Sequence, residues 1–332
     1  MLMANNTKIS VIIPFYNARP LIDGCVASLM RQTTAEKTEY IFIDDGSTDG
    51  SADIVKKAIQ ANTSPARSIR LLSLPHNQGL AAARQTGLNN ATGEYISYCD
   101  ADDFVDAPMY ASMLKAAVEN NADVVCTPLL IETGRKTKIE RFKKPMLPDL
   151  NDMPLDTLHF SLCNKLVRRS MLTEHGLEVF PGVNCWEDMS IMFRVYIFAR
   201  KTIILDTPFY HYRRSHSTSL TAGKAQRILD EHLLFVSHME EWFDSQPPQL
   251  RIRYAPFIRF ARFTAKIKML RCRNRNIRLW KTTFPDANAG ILAYRNIPWH
   301  YRILFYLADR LPLEVTAPLC ELANCIQQRK KD

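Results

Sequence analysis

The chain of 332 residues is 46% apolar and 23% charged, a globular balance that excludes a collagen-like or wholly disordered protein. Its eight cysteines are scattered without a CxxC pair, and no run reaches the roughly 18 apolar residues of a membrane span, so neither a zinc ribbon nor an integral anchor is expected. The net charge of +9 is uneven: residues 226–332 hold 18 basic and 10 acidic side chains, and 246–285 holds eleven Lys or Arg and no acid.

Read in chain order, the first two-fifths alternate between short apolar runs and helical periods. ISVIIP (9–14) is an apolar run closed by proline and predicts a buried strand. A helix follows over about 20–32, then the strand YIFID (40–44) and a Gly/Ser/Asp turn at 45–51 that opens a second helix. Further strands are expected near 69–74, at 94–98 and at 123–127, with helices near 79–90 and 108–120 between them. Strands separated by single helices predict a mostly parallel α/β sheet covered on both faces. Ligands of such sheets bind at the carboxyl ends of the strands.

Three strand exits carry the chemistry: Pro14-Phe15-Tyr16-Asn17, Asp44-Asp45-Gly46-Ser47 and Asp100-Ala101-Asp102-Asp103. Neither GxGxxG nor GxxxxGK[ST] is present, so a bound phosphate needs some other counter-charge. Crowded carboxylates point to a hard divalent cation, Mn²⁺ or Mg²⁺, bridging protein to phosphate. An EF-hand reading of Asp45-x-Ser47-x-Asp49-Gly50 fails, because its twelfth position is Lys56 where a bidentate Glu is needed. The same DDGSTDGS stretch also reads as a plain turn with a helix N-cap.

Beyond the polar TAGKAQ stretch near residue 223, the basic segment has its own pattern. A helix is expected to begin at Pro256, with Phe257, Phe260, Ala261, Thr264 and Ile267 on one face and Arg259, Arg262, Lys266 and Arg273 on another. Such a helix suits docking on an anionic membrane surface, and a helical cap packed on the rest of the protein is the rival expectation. The apolar stretch 303–307 is too short to span a bilayer. No nucleic-acid-binding motif accompanies the basic charge, so no nucleic-acid partner is expected. The N-terminus lacks a charged n-region and a small-residue cleavage site. A cytoplasmic protein, peripheral on the inner face of the cytoplasmic membrane, is therefore expected. The domain division is expected to be 1–222 and 223–332.

Five segments occur in one order: SVIIPFYNARPLIDGCVASLMRQ, EYIFIDDGSTDGS, HNQGLAAARQTGLNNATGEYISYCDADD, CNKLVRRSML and WEDMSIMFRVYIFA. So ordered, residues 8–220 resemble the family 2 glycosyltransferases with the GT-A fold. The resemblance implies a Rossmann-like nucleotide-binding sheet, to which this chain adds a helical basic C-terminal extension. It implies that Tyr16 stacks on the nucleotide base, that Pro14 lines the same slot and that Asp45 accepts the base N–H; Tyr16 reads equally as a cap on the sheet edge. Arg84 matches a donor-side arginine, although Gln85 follows it where Asn is commoner. DADD matches the family's D-x-D, making Asp102 the metal ligand, Asp100 its support or a ribose contact, and Asp103 an outer carboxylate.

Glu187 and Asp188 match the family's E-D motif, with Asp188 the general base; a favourable charge at a helix N-terminus is the blander reading and is compatible with it. Lys165, after Asn164, matches a segment shaping the acceptor or diphosphate side and reads equally as a solvated helix charge. In YHYRRSHSTSLT, His216 is the candidate to complete the metal site and His211 the runner-up. The resemblance thus implies an inverting, metal-dependent transferase moving a sugar from a nucleotide sugar, a UDP-sugar, to a glycan or lipid-linked glycan of the cell envelope: lipopolysaccharide, capsule or lipid-linked oligosaccharide. A teichoic-acid-type or protein-modifying transferase and a non-catalytic sugar-nucleotide-binding subunit are the alternatives.

Overall fold

A computed structural model describes residues 7–134, 136–142, 160–214, 225–271, 277–288, 291–293, 299–312, 314, 315 and 318. They fall into two compact units, one reaching to residue 214 and one starting at 225. The expected seam near 223 lies outside the described residues.

The first unit opens as the apolar runs and breakers predict. Its elements run β1 (Ile9–Phe15), α1 (Arg19–Met30), β2 (Thr38–Asp44), α2 (Ser51–Ala61), β3 (Arg67–Ser73), α3 (Leu80–Asn90) and β4 (Tyr95–Tyr98). Then come β5 (Phe104–Val105), α4 (Met109–Asn120), β6 (Val124–Cys126), β7 (Leu129–Thr133), β8 (Lys136–Glu140) and β9 (Lys165–Arg168). The unit closes with α5 (Arg169–Glu174), α6 (Glu187–Phe198), β10 (Thr202–Ile204) and β11 (Tyr210–Arg213). Seven strands form one sheet in the order β10-β6-β9-β4-β1-β2-β3. All its pairings are parallel except those of β9, which runs antiparallel to both β4 and β6.

The chain leaves β1 toward β2 and β3 and returns on the other side as β4, so the order reverses between β1 and β4. A crevice opens beside such a switch point, at the carboxyl ends of the strands. The strands beside it, β1, β2 and β4, are buried along their whole length, with Thr38, Glu39, Asp44 and Ser97 buried among their apolar residues. Close packing of α3 on β1 depends on Gly87, where a Cβ would collide with the Ile12 side chain.

Two features depart from the sequence expectation. Lys165 is no solvated helix charge: it is fully buried at the start of β9. Its ammonium donates to the Ser161 carbonyl (2.5 Å) and Asn164 Oδ1 (2.9 Å), which satisfies the charge locally. A second sheet, β5-β11-β7-β8, was also not foreseen. Its strands are two to five residues long, too short to stand out as period-two patterns.

The second unit is helical: α7 (Ala225–Asp244), α8 (Pro248–Arg271), α9 (Ile277–Thr282) and α10 (Trp299–Arg310), with two short 3₁₀ turns between α9 and α10. On α7, Leu229, His232, Val236, Met239 and Phe243 are buried, the three-and-four spacing of one helix face. The second core joins Phe260, Phe263 and Met269 of α8 to Trp280, Tyr301, Leu304, Phe305 and Ala308.

The expected helix start at Pro256 is corrected. Helix α8 begins at Pro248 and carries Pro256 inside it. Proline there removes one backbone donor, and the affected carbonyl belongs to Ile252, which is 77% exposed and open to water. The expected basic face is corrected as well. Lys266 is fully buried; it donates to the Thr283 carbonyl (2.7 Å) and lies 4.7 Å from the Trp280 ring centre. Arg262 pairs with Glu240 (2.7 Å) and Asp286. Two of the cations expected to face outward thus hold the unit together. Among the described residues, no helix is long and apolar enough to cross a membrane.

Candidate active site

The loops after β1 and β2 lock onto each other. Asn17, at φ +48°, accepts from the Thr48 amide through its side chain (2.9 Å) and donates its own amide to Ser47 Oγ (3.0 Å). Asp44 Oδ1 accepts the Ser47 amide (2.8 Å), so DDGSTDGS does form a side-chain-closed turn, but the expected side-chain N-cap is corrected: Gly50 caps α2 without a side-chain bond. Tyr16 stands at the rim, 49% exposed, while Pro14 is buried within β1. Buried Asp45 ties these loops to the start of α3, accepting the amides of Gln78 (2.7 Å) and Gly79 (2.9 Å). Burial and then the Asp44 charge push its carboxyl above the ordinary range, against those two donors.

Gly79 sits at φ +93°, and a Cβ there would strike the Asn184 side chain. Asn184 Oδ1 accepts the Ala81 amide (3.0 Å), so the segment leading to Glu187 and Asp188 comes down on the α3 N-terminus. Trp186, immediately before them, has φ +81°. That region is costly for a bulky side chain and is found where surrounding structure enforces it.

Arg84 occupies the centre of the arrangement and is 3% exposed. Its Nη1 pairs with Glu187 Oε1 and its Nη2 with Asp100 Oδ1 (2.8 Å), and its guanidinium lies 5.8 Å from the Tyr98 ring centre. One planar cation therefore joins the end of β4 to the first turn of α6, a fork that only arginine offers. The two carboxylates hold Arg84 charged, well above its already high ordinary value. Burial pushes Glu187 upward, and the Arg84 charge opposes that.

The remaining atoms of Asp100 are also engaged. Its Oδ2 accepts from Cys163 Sγ (3.0 Å), and its amide donates to the Tyr210 hydroxyl (3.1 Å). That hydroxyl donates in turn to Asp103 Oδ2 (2.8 Å), whose other oxygen accepts the Arg213 amide (2.7 Å). Asp103 is fully buried and turned into the fold, with both carboxylate oxygens taken. Cys163, Tyr210 and Arg213 were not among the sequence candidates. No spacing marks them, because they reach Asp100 and Asp103 from 63 to 110 residues away.

Asp102 is the carboxylate left over. Among the described residues its side chain accepts no hydrogen bond from another residue, and burial, followed by the Asp100 charge, pushes it up to about 6. A partly buried carboxylate at a strand end, opposed at a distance by the Arg213 and Arg84 charges, fits a hard divalent cation, with further oxygens coming from water or a ligand phosphate. No group of three or more His, Cys, Asp or Glu among the described residues is arranged to hold a metal by itself. His211 has both ring nitrogens occupied, by Glu132 (2.8 Å) and Asp106 (3.1 Å), and stacks on Phe104. His216 lies outside the described residues.

Asp188 is partly buried in the first turn of α6, where Oδ1 accepts the Met189 amide (2.7 Å). Burial pushes its carboxyl up, and the Arg84 charge opposes the rise. An ionised carboxylate near a helix N-terminus, with one oxygen fixed, can accept a proton through the other. Asn164, by contrast, is a structural anchor: buried, it donates to the Thr127 carbonyl (2.7 Å).

Comparison with known proteins gives the family and the fold. Residues 10–176 match the model of Glycosyl transferase family 2. EpsH of Bacillus subtilis strain 168 is 30% identical over 241 residues, 68% of this chain and 66% of EpsH. The uncharacterized glycosyltransferase YibD of Escherichia coli K12 is 42% identical over 194 residues, 55% of each chain. This chain thus spans slightly less than two-thirds of EpsH and little over half of YibD. The crystal structure of S. aureus TarS 1–349 in complex with UDP-GlcNAc superposes with a TM-score of 0.70 at 18% identity, covering 96% of this chain and 92% of that one, a likeness of fold. With the family model, the ordered motifs and the GT-A architecture in agreement, the chain belongs to glycosyl transferase family 2.

Proposed function

We propose that the protein is an inverting, cation-dependent glycosyltransferase that moves one sugar from a UDP-sugar to a hydroxyl of a cell-envelope glycan acceptor. The observation carrying the proposal is the Arg84 fork, which fixes the D-x-D strand end and the E-D helix in one frame. A sugar-nucleotide-binding subunit has no use for a carboxylate base held in register with a phosphate-facing strand end. The exposed Tyr16 ring offers a stacking surface for the base, while Asp45 fixes the start of α3 through the Gln78 and Gly79 amides. UDP-GlcNAc in TarS supports a uridine donor.

In this reading Asp102 would hold Mn²⁺ or Mg²⁺ for binding of the donor diphosphate. The cation, when bound, neutralises charge that develops on the leaving nucleoside diphosphate. Asp188 takes the proton of the acceptor hydroxyl as that oxygen bonds to the anomeric carbon. The bond to the diphosphate oxygen breaks on the opposite side, so configuration inverts in one step. Asp100 serves to hold Arg84 and the strand end, both its oxygens being engaged. The second unit, with its basic excess, brings the enzyme to anionic membrane, where lipid-linked acceptors reside.

Calorimetry of UDP binding with and without Mn²⁺ tests the core of this reading. Wild type is expected to bind UDP at least about tenfold more tightly with the metal, and Asp102→Asn to lose that gain. Equal affinity with and without metal in wild type would refute cation dependence.

A further inference from the structure

One side of α10 belongs to the core of the second unit and the other does not. Tyr301, Leu304, Phe305 and Ala308 point inward, with Phe305 against Phe263 and Trp280. The opposite side carries Trp299, Ile303 and Leu307, spaced by four and all exposed, Trp299 by 66%. Arg302 and Arg310 share that arc by helical spacing, and half-buried Tyr306, which also packs against the core, lies beside them. The Arg310 guanidinium lies 3.8 Å from the Tyr306 ring centre, and Arg302 donates to the carbonyl of Leu292, itself exposed. The face therefore offers aromatic rings, aliphatic chains and two guanidiniums side by side. Soluble surfaces seldom gather large apolar residues in this way unless something covers them.

The charges select the occupant. Among the described residues of this arc the single acid is Asp309, which accepts from Asn288 (3.0 Å) and lies 3.8 Å from Arg310. The segment from 226 onward has 18 basic side chains to 10 acidic. A second copy docking face to face would press arginines against arginines. An anionic bilayer meets every part of the face: Trp and Tyr suit the headgroup level, aliphatic chains the acyl boundary, and arginines the lipid phosphates.

We propose that α10 lies flat on anionic lipid, with Trp299, Ile303 and Leu307 inserted at the headgroup boundary and Arg302 and Arg310 on lipid phosphates. The inference rests on the membrane half of the proposed function and relocates it. The surface is α10 rather than α8, whose Arg262 and Lys266 are engaged inside the unit. Three inserted side chains and two cations give reversible binding, not a permanent anchor.

Flotation of the full chain with phosphatidylglycerol-containing vesicles, and with phosphatidylcholine alone, tests it. Wild type should float with the anionic vesicles, poorly with the neutral ones, and less as salt rises. Trp299→Ser/Ile303→Ser/Leu307→Ser should lower partitioning at least about tenfold, and Arg302→Gln/Arg310→Gln should remove most of the preference for anionic lipid. Trp299→Ser alone, a change at an exposed position, should weaken binding measurably. Hydrolysis of the soluble nucleotide sugar should be unchanged in all three variants; its absence from every sample, wild type included, would count against the catalytic reading and leave the flotation result standing. Wild type that fails to float, or a triple variant that floats like wild type, would overturn the proposal. So would a wild-type dimer that the triple substitution splits, since the face would then be a contact between copies.

Discussion

Replacing Arg84 by lysine should separate the two functions of the fork. Lysine keeps the charge, but a single ammonium cannot present two parallel donors to carboxylates from different elements. At least one of the bonds to Glu187 and Asp100 is lost. A hydrogen bond to a charged group contributes about 1.5–3 kcal/mol, and Arg84 is 3% exposed, so screening by water is slight. If that interaction positions the reacting groups, turnover should fall about 10- to 100-fold, at about 1.4 kcal/mol per decade. Arg84→Ala would instead leave two carboxylates unpaired in the interior, a loss of about 3–5 kcal/mol in stability, which confounds any rate. The informative experiment is a double-mutant cycle of Arg84→Lys with Glu187→Gln and with Asp100→Asn. Turnover, donor KM and urea stability would be measured on each variant. Because the three residues share one network, the losses should be non-additive by about 0.5–3 kcal/mol. Arg84→Gln, which removes the charge, should move the acidic limb of the pH–rate profile upward, since that charge holds the Asp188 carboxyl down. Strictly additive losses, or unchanged turnover in Arg84→Lys, would refute the fork as a positioning device.

Two further outcomes are expected. Asp188→Asn keeps the side chain's size but cannot take the acceptor proton, so turnover should fall about 100-fold or more while UDP affinity measured by calorimetry stays near wild type. A comparable loss of UDP affinity would move Asp188 into the donor site. Burial pushes the Lys266 ammonium down to about 8, with Asp286 and Asp309 only partly opposing it. Between that value and the 10.5 of an ordinary lysine, the folded protein has released this proton and the unfolded chain has not, so this group favours the fold increasingly as pH rises. Met carries no such penalty, so the urea midpoint of wild type minus that of Lys266→Met, taken with its sign, should rise from about pH 8 to about pH 10. A difference that stays constant would refute the shift.

The parts of the fold that could be read in advance are those whose information is local. β1 to β4 and their helices follow from apolar runs ending at Pro14, at the Gly/Ser/Asp turn and at the acidic cluster, each of which acts within a few residues. β9 was hidden because KLVR carries two cations and no apolar run; only the structure shows Lys165 satisfied by Ser161 and Asn164. The candidate site divides in the same way. The strand-end residues and the E-D pair were recognisable as ordered motifs. The three-way join of Arg84, Asp100 and Glu187 was not, since 103 residues separate Arg84 from Glu187. On α8 the periodicity placed the apolar face, but it could not reveal that Glu240 and Asp286 come to meet Arg262.

The Tyr210 bridge has a consequence for how the chain is made. Asp100 leaves the ribosome 110 residues ahead of the hydroxyl that holds its amide. At about 5–20 residues per second, that is a delay of roughly 5–20 s. Throughout that interval Asp100, Asp102 and Asp103 have no Tyr210 or Arg213 to fix them, and Arg84 has no Glu187 until 103 residues after its own synthesis. The nascent sheet can pair β1 with β2 and β4 early, yet the carboxyl end of β4 should stay wet until β11 arrives. A nascent chain arrested before residue 210 should therefore be open to proteases around the acidic loop, and gain protection only when the last strand of the first unit has been added.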